Sequence, residues 1–360
     1  MKRPIVRLSS LQLTNIKNVK KGTIYMPNTV NKILSADKAE ILGIYGQNGS
    51  GKTAIVDALY FLQKVMIGAD LDQSLEDYMD MDSNVAEIFA DFNLFMNGIV
   101  FEIGYRLSLS REEKVVVISR ETLSGAKNEN GIRTNKTVFM DYQRDQTNTI
   151  FKPQKRLDEI LEENKDIKTD LIVARKMAEK SNCSYIFGES SRDIFCREYK
   201  NGFQQFSVII SSLFEFALKD LFVIRNTHSG VISANFVLPM AFRIENDNMG
   251  AKGDFTVSLT EPILVDEERK NLLETIVEQI NIVLYTIIPG LQVTIKNYGK
   301  QSLDDGEEGW KLELMSKREG MKEIPIRMES EGIIKIISIL NALIQAFGNP
   351  SICLVIDELD

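Results

Sequence analysis

The chain has 360 residues, 44% of them hydrophobic and 26% charged, an ordinary globular composition with material for a real core. Its length suits roughly two domains, or one large domain carrying an insertion. Acidic residues number 51 and basic residues 43, so the net charge of −8 gives nucleic-acid binding no support beyond a local basic patch.

Three cysteines, Cys183, Cys196 and Cys353, form no CxxC pair, which points to a reducing compartment without a disulfide frame. The single histidine, His228, excludes a His-rich metal site and reads as a structural or surface residue. The opening "MKRPIVRLSSLQL" lacks the apolar stretch and cleavage site of a signal peptide. The most apolar runs, 280–291 and 333–347, fall short of the ~18 residues a membrane span needs. A cytoplasmic location with no membrane partner is the expectation.

In chain order, "IVRLSSLQLTNI" alternates as an opening strand, and "KNVKKGTIYM" reads as a turn and a second strand. "AEILGIYG" is a short apolar run ending in glycine, and "SGKTAIVDALYFLQKVM" has helical spacing. Strand, glycine loop and helix follow one another. An acidic stretch, 70–84, then leads to a hairpin in which Asn97-Gly98 joins two apolar runs. Phe101, Ile103, Tyr105, Leu107 and Leu109 share one face of its second strand, and "KVVVISRETL" adds another strand.

From Pro153 the chain turns helical and highly charged, an exposed arm. "FQQFSVIISSLFEFALKDLF" places Phe203, Phe206, Ile210, Leu213, Ala217 and Leu221 on one helical stripe, which reads as core packing. Residues 246–254 read as a loop. "DEERKNLLETIVEQINIVLYTII" is a helix opened by acids and closed at Pro289-Gly290. Short strands follow around Val293 and Trp310–Leu314, then "EIPIRMESEG" leads from strand into helix, and "SICLVIDELD" closes as a strand.

Gly46, four residues, then Gly51-Lys52-Thr53 satisfies G-x-x-x-x-G-K-[ST] without mismatch. Glycines let backbone N–H groups of Gly46, Gln47, Asn48, Gly49, Ser50 and Gly51 face phosphate oxygens, and the helix N-terminus favours the same charge. ATP and Mg²⁺ are the expected ligands: Lys52 reaches the β- and γ-phosphates and Thr53 ligates Mg²⁺. At the far end, the run Cys353–Ile356 delivers Asp357 and Glu358 at a strand's C-terminal end. Asp357 would hold Mg²⁺ through water, and Glu358 would activate the attacking water.

The spacing narrows the class. A gap of 357 − 52 = 305 residues is unlike a motor with the two motifs close together, and "NKDI" at Asn164 is not the N-K-x-D of a GTPase. Ser330-Glu331-Gly332 opens the predicted helix just upstream of the final strand. That arrangement resembles the ABC-type ATPases, whose S-x-G signature precedes the second motif by a helix. Ser330 and Gly332 would then offer a second anion site at a helix N-terminus, facing the phosphate loop of a second copy, so that a homodimer sandwiches two ATPs. Read alone, Ser330 could equally be an N-cap.

"LSSLQLTNIKNVKKGTI" followed by "GIYGQNGSGKT" resembles the DNA-maintenance and defence branch of these enzymes, which includes the RecF, SMC and OLD families. The hairpin "GIVFEIGYRLSLSREEKVVVISRETL" is similar to OLD-like and abortive-infection AAA-type ATPases of anti-phage systems. The resemblance implies an α/β P-loop NTPase fold with an inserted antiparallel β-subdomain and a helical insertion. It divides the chain into an N-terminal ATPase lobe (1–150), a helical insertion (151–265) and a C-terminal ATPase lobe (266–360). It also implies an ATPase acting as a dimeric switch over an effector nuclease or toxin.

No convincing Q-loop stands out, Gln73 being the nearest candidate. The family would continue past "DELD" into a D-loop, a switch histidine and further strands. The resemblance therefore implies a chain cut just inside the strand that completes its site; if residue 360 is the natural end, Glu358 sits on a frayed terminus and turnover should be poor. Two other readings stay open: a DNA-repair or chromosome-maintenance ATPase that clamps DNA, and a non-hydrolysing nucleotide sensor. Lys155, Arg156, Lys165, Lys168, Arg175 and Lys176 would supply a DNA-binding face, but Glu159, Glu162, Glu163 and Asp166 interleave with them.

Overall fold

Alternating apolar residues in the first 145 positions build one large sheet. The computed structural model describes residues 3–71, 73–112, 115–144, 146, 150–163, 165–196, 204–225, 237–246, 249–258, 261–302 and 308–357. It is a mixed α/β fold that divides into two compact units, Met1–Val223 and Ile224–Asp360.

In the first unit, β1 (Ile5–Ile16), β2 (Val19–Tyr25), β3 (Val85–Met96), β4 (Ile99–Glu112), β5 (Val115–Glu129), β6 (Ile132–Arg133) and β7 (Thr137–Gln143) form a seven-stranded antiparallel sheet. Its order is β2-β1-β3-β4-β5-β6, with β7 also on β5. The β3–β4 turn is Asn97-Gly98, both left-handed at φ 49° and 80°, as a two-residue hairpin requires. Asn130-Gly131 repeats that chemistry between β5 and β6 at φ 52° and 81°. The pleat then sends Phe101, Ile103, Tyr105, Leu107 and Leu109 inward, with Ile88, Phe92 and Leu94 opposite them.

The helices of this unit are α1 (Pro27–Val30), α2 (Lys52–Met66), α3 (Lys155–Glu163), α4 (Ile167–Ser181), α5 (Glu189–Phe195) and α6 (Gln204–Glu215), with α1, α2 and α6 packed on β1. The anticipated arm is exposed on one side only. α4 buries Ile167, Leu171, Ala174 and Ala178, one stripe of a 3.6-residue period. Glu121 on β5 fastens the segment after α4. Its carboxylate accepts Tyr105 Oη at 2.5 Å, Ser184 Oγ at 2.6 Å and the Tyr185 N–H at 2.6 Å. Burial pushes this carboxyl up, while the three donors pull it down.

Two expectations fail in this unit. "AEILGIYG" forms no strand: Ile41 is 82% and Tyr45 95% exposed, and no strand among the described residues pairs with the segment. A buried strand needs neighbours for its N–H and C=O groups, and local apolarity does not supply them. The single helix expected over 203–222 is also interrupted. α6 stops at Glu215, a one-turn π-helix covers Phe216–Asp220, and β8 (Leu221–Ile224) follows. Ile210, Leu213, Ala217 and Leu221 are buried as expected, and Phe203 lies outside the described residues.

β8 carries the chain into the second unit. There β9 (Val237–Asn246) and β10 (Met249–Ser258) pair in register from Asn246↔Met249 to Val237↔Ser258. Residues 246 and 249–254 are thus strand rather than loop, because pairing with a partner strand and not local glycine content decides the outcome. β11 (Ile263–Val265), β12 (Leu291–Ser302), β13 (Glu308–Arg318) and β14 (Ile324–Pro325) make a second sheet centred on β13. "EIPIRM" is only partly strand, since Ile326–Met328 is a 3₁₀ turn.

α7 (Glu267–Ile287) and α8 (Glu331–Gly348) pack on each other and on that sheet through Ile276, Ile280, Leu284, Ile334, Ile337 and Leu340. Asp266 caps α7 by accepting the Arg269 N–H at 2.7 Å, worth about 1 kcal/mol. With 18 residues and a mean hydropathy of 1.4, α8 reaches the length and apolarity of a membrane span, beyond what the run 333–347 suggested. Its inner face is nonetheless core. β15 (Cys353–Ile356) ends the described chain just before Asp357.

Candidate phosphate and metal site

Gly51 sits at the N-cap of α2 with φ 94°, and Gly49 has φ 81°. A side chain at either position meets the left-handed penalty, and a Cβ on Gly51 would also lie 2.6 Å from Val19 Cγ2. A Cβ on Gly46 would approach Ser50 Oγ at 2.7 Å, although that hydroxyl can turn away. Between them Gln47, Asn48 and Ser50 form an exposed turn closed by the Ser50 N–H on Gln47 O at 3.1 Å.

Lys52 folds back over this turn. Its Nζ donates to Gly46 O at 2.6 Å and Gln47 O at 3.0 Å, so the ammonium lies at the loop mouth. Thr53 is exposed on the first turn of α2, which contains no acidic residue. The free N–H groups of that turn and the helix dipole therefore face solvent with positive character. This is an anion-binding end. Deeper in the helix Ala54, Ala58, Leu62 and Val65 are buried and fix its position.

The β1–β2 turn braces the loop. Lys17 pairs through Nζ with the buried carboxylate of Asp57 on α2, and its N–H donates to Tyr78 O at 2.9 Å. Asn18 donates through Nδ2 to Gly49 O, and Val19 packs on Gly51. Sequence reasoning read 17–25 only as a turn and a strand. The one signal present was an aspartate five residues inside an apolar helix, which burial makes costly unless paired.

Asp357 is 6% exposed, and its Oδ2 is buried without a hydrogen-bond partner among the described residues. Its N–H donates to Ile224 O at 2.9 Å. An orphaned carboxylate oxygen fits a cation ligand better than a structural aspartate. Among the described residues no three His, Cys, Asp or Glu side chains cluster as a metal site. Mg²⁺ keeps waters and takes one or two carboxylates plus phosphate oxygens, so a single carboxylate can serve it. Glu358 and His228 lie outside the described residues.

Ser330 stands at the N-cap of α8 with extended backbone and an exposed side chain, and its hydroxyl makes no capping hydrogen bond. Its carbonyl accepts the N–H groups of Ile333 and Ile334 at 3.0 and 3.1 Å. A Cβ on Gly332 would meet nothing within 4 Å. Thus Lys52 and Thr53 belong to the first unit, and Asp357, Ser330 and Gly332 to the second. Gln73 opens a 3₁₀ turn, Gln73–Tyr78.

Arg175 does not serve the basic face assigned to it. It donates to Gln143 O, to Arg144 O at 3.2 Å and to Glu179 at 3.1 Å, and covers the Tyr142 ring. Burial raises the thiols of Cys183 and Cys196 to about 11, which disfavours the thiolate.

Residues 41–165 match the family model described as AAA domain, putative AbiEii toxin, Type IV TA system. The match covers the glycine loop, α2 and strands β3 to β7, and likens this part of the chain to an AAA-type ATPase domain. No curated protein matches. Similar solved structures include a Pyrococcus furiosus Smc head domain with an extended coiled coil, bound to the C-terminal domain of ScpA. That chain is 14% identical, with 96% of this chain and 80% of that one covered at a TM-score of 0.35. The recombination mediator protein RecF with ATP is 11% identical, covering 99% of this chain and 87% of that one at a TM-score of 0.36.

Proposed function

We propose that the chain binds and hydrolyses ATP as an ABC-type dimeric switch, with Lys52, Thr53 and Asp357 acting on one Mg²⁺-bound triphosphate. The observation that carries this is the loop itself: two left-handed glycines, an unobstructed helix N-terminus and a lysine resting on loop carbonyls that phosphate can replace. The orphaned Oδ2 of Asp357 supports its role as the carboxylate on the cation side. Bound Mg²⁺ would polarise the phosphate oxygens, Thr53 and Asp357 would hold it, and Glu358 would orient the water.

On this reading 1–150 and 266–360 are two ATPase lobes around the insertion 151–265, and Ser330 with Gly332 serves the nucleotide of a second copy. The phage-defence reading, with an effector nuclease or toxin as the controlled partner, draws on the sequence resemblance; the family model over residues 41–165 names a putative toxin of a Type IV TA system. Direct DNA clamping is the weaker reading, because Arg175 is committed to internal bonds and the acidic Glu162 and Asp166 are exposed among the lysines of that face.

Calorimetric titration with ATP and Mg²⁺ tests the reading. Wild type should bind, and Lys52→Ala should weaken binding by about 100-fold or more, roughly 3 kcal/mol. Equal affinity in both proteins would remove the loop from the account.

A further inference from the structure

Gln63 lies on α2 eleven residues beyond Lys52, about 16 Å along the helix, and has no part in holding phosphate. Its side-chain nitrogen donates twice, to Ala217 O at 2.9 Å and to Leu221 O at 2.6 Å. Ala217 lies in the π turn Phe216–Asp220 that follows α6, and Leu221, the first residue of β8, closes that turn with its N–H on Phe216 O. Such insertions of one extra residue recur at functional sites.

The turn is held from a second side. Arg3 donates to Glu215 at 3.0 Å and to both oxygens of Asp220 at 3.2 and 2.7 Å, Asp220 being 1% exposed. The Phe216 ring meets Phe92 of β3 edge-on at 5.7 Å. Immediately after the turn the chain enters β8, and the carbonyl of Ile224, its last residue, accepts the Asp357 N–H. One amide on the phosphate-loop helix therefore holds the π turn and the start of β8.

A two-acceptor contact of this kind is sensitive to direction, because hydrogen bonds weaken steeply as they bend. A stiff helix that shifts when its N-terminus takes up an anion moves Gln63 with it, and the paired carbonyls must follow or release. We propose that Gln63 is a positioning residue that couples occupancy of the phosphate loop to the setting of the π turn and of β8. The proposal rests on the nucleotide-binding reading given above.

The test is hydrogen–deuterium exchange of residues 216–224 in the full chain, with and without ATP and Mg²⁺, alongside calorimetric ATP affinity. In wild type, ATP should slow exchange there about fivefold or more, the scale of one or two hydrogen bonds. Gln63→Met keeps the length of the side chain and loses both donors. It should bind ATP within about twofold of wild type and show no ATP-dependent change at 216–224. The same slowing in Gln63→Met would overturn the coupling, as would a wild type that binds ATP with 216–224 unaltered. If the variant fails to fold, the wild-type arm still decides. A wild type that binds no ATP would overturn the nucleotide reading and the coupling together.

Discussion

Gly51 shows at the scale of one residue how the loop is specified. Its φ of 94° is strained for any L side chain, and Val19 fills the space a Cβ would take. Gly51→Ala should therefore cost about 1–2 kcal/mol in urea unfolding and weaken ATP binding as well, since the loop cannot relax without losing its shape. Unchanged stability and affinity would mean that the turn tolerates another backbone path. The loop was legible in sequence because positive φ, close approach and a phosphate-facing lysine each demand a particular residue type. Asn18, Lys17 and Gln63 were not legible. A lysine or an amide is compatible with any surface, and only the fold brings Lys17 onto Asp57 or Gln63 onto Ala217 and Leu221.

Between elements, an ion cluster centred on Asp141 joins β5 to β7. Arg120 on β5 donates to both oxygens of Asp141 on β7 at 2.8 and 2.9 Å, and Lys152 adds a further pair. Burial alone would raise the Asp141 carboxyl. The donors outweigh it and hold the group down at about 2, against an ordinary 3.8. A lowered folded pKa stabilises the fold above pH ~4 and loses that contribution as pH falls toward ~2. The shift corresponds to about 2 kcal/mol. Urea unfolding from pH 6 to pH 3 should show the wild-type advantage over Asp141→Asn shrinking with acid. A constant difference would contradict the assignment. Sheet hairpins were readable because Asn-Gly turns and alternation are local signals. The failures at 39–46 and 246–254 have one cause: strand formation depends on a partner, and apolarity or glycine content records only half of the pair. The π turn that ends α6 is invisible to a 3.6-residue stripe, because it inserts a residue without changing composition.

For the whole molecule, the proposal places two chain ends and two copies on one nucleotide chemistry. Ser330, exposed at the N-terminus of α8 with its hydroxyl free of a capping bond, is assigned to the nucleotide of the partner copy. Light scattering should then show ATP with Mg²⁺ converting wild type to a dimer. Ser330→Arg should stay monomeric while binding ATP within about twofold of wild type, because the substitution blocks the facing loop and leaves its own intact. A Ser330→Arg dimer at saturating ATP would reassign the S-x-G triplet to local capping.

The central claim is that Asp357 and the phosphate loop serve the same magnesium triphosphate. Its most direct test is the Mg²⁺ dependence of ATP affinity, measured by calorimetry with Mg²⁺ and with chelator in wild type and Asp357→Asn. Wild type should bind ATP about tenfold tighter with Mg²⁺, and the substitution should bring that ratio close to one. An undiminished Mg²⁺ effect in Asp357→Asn would contradict the account.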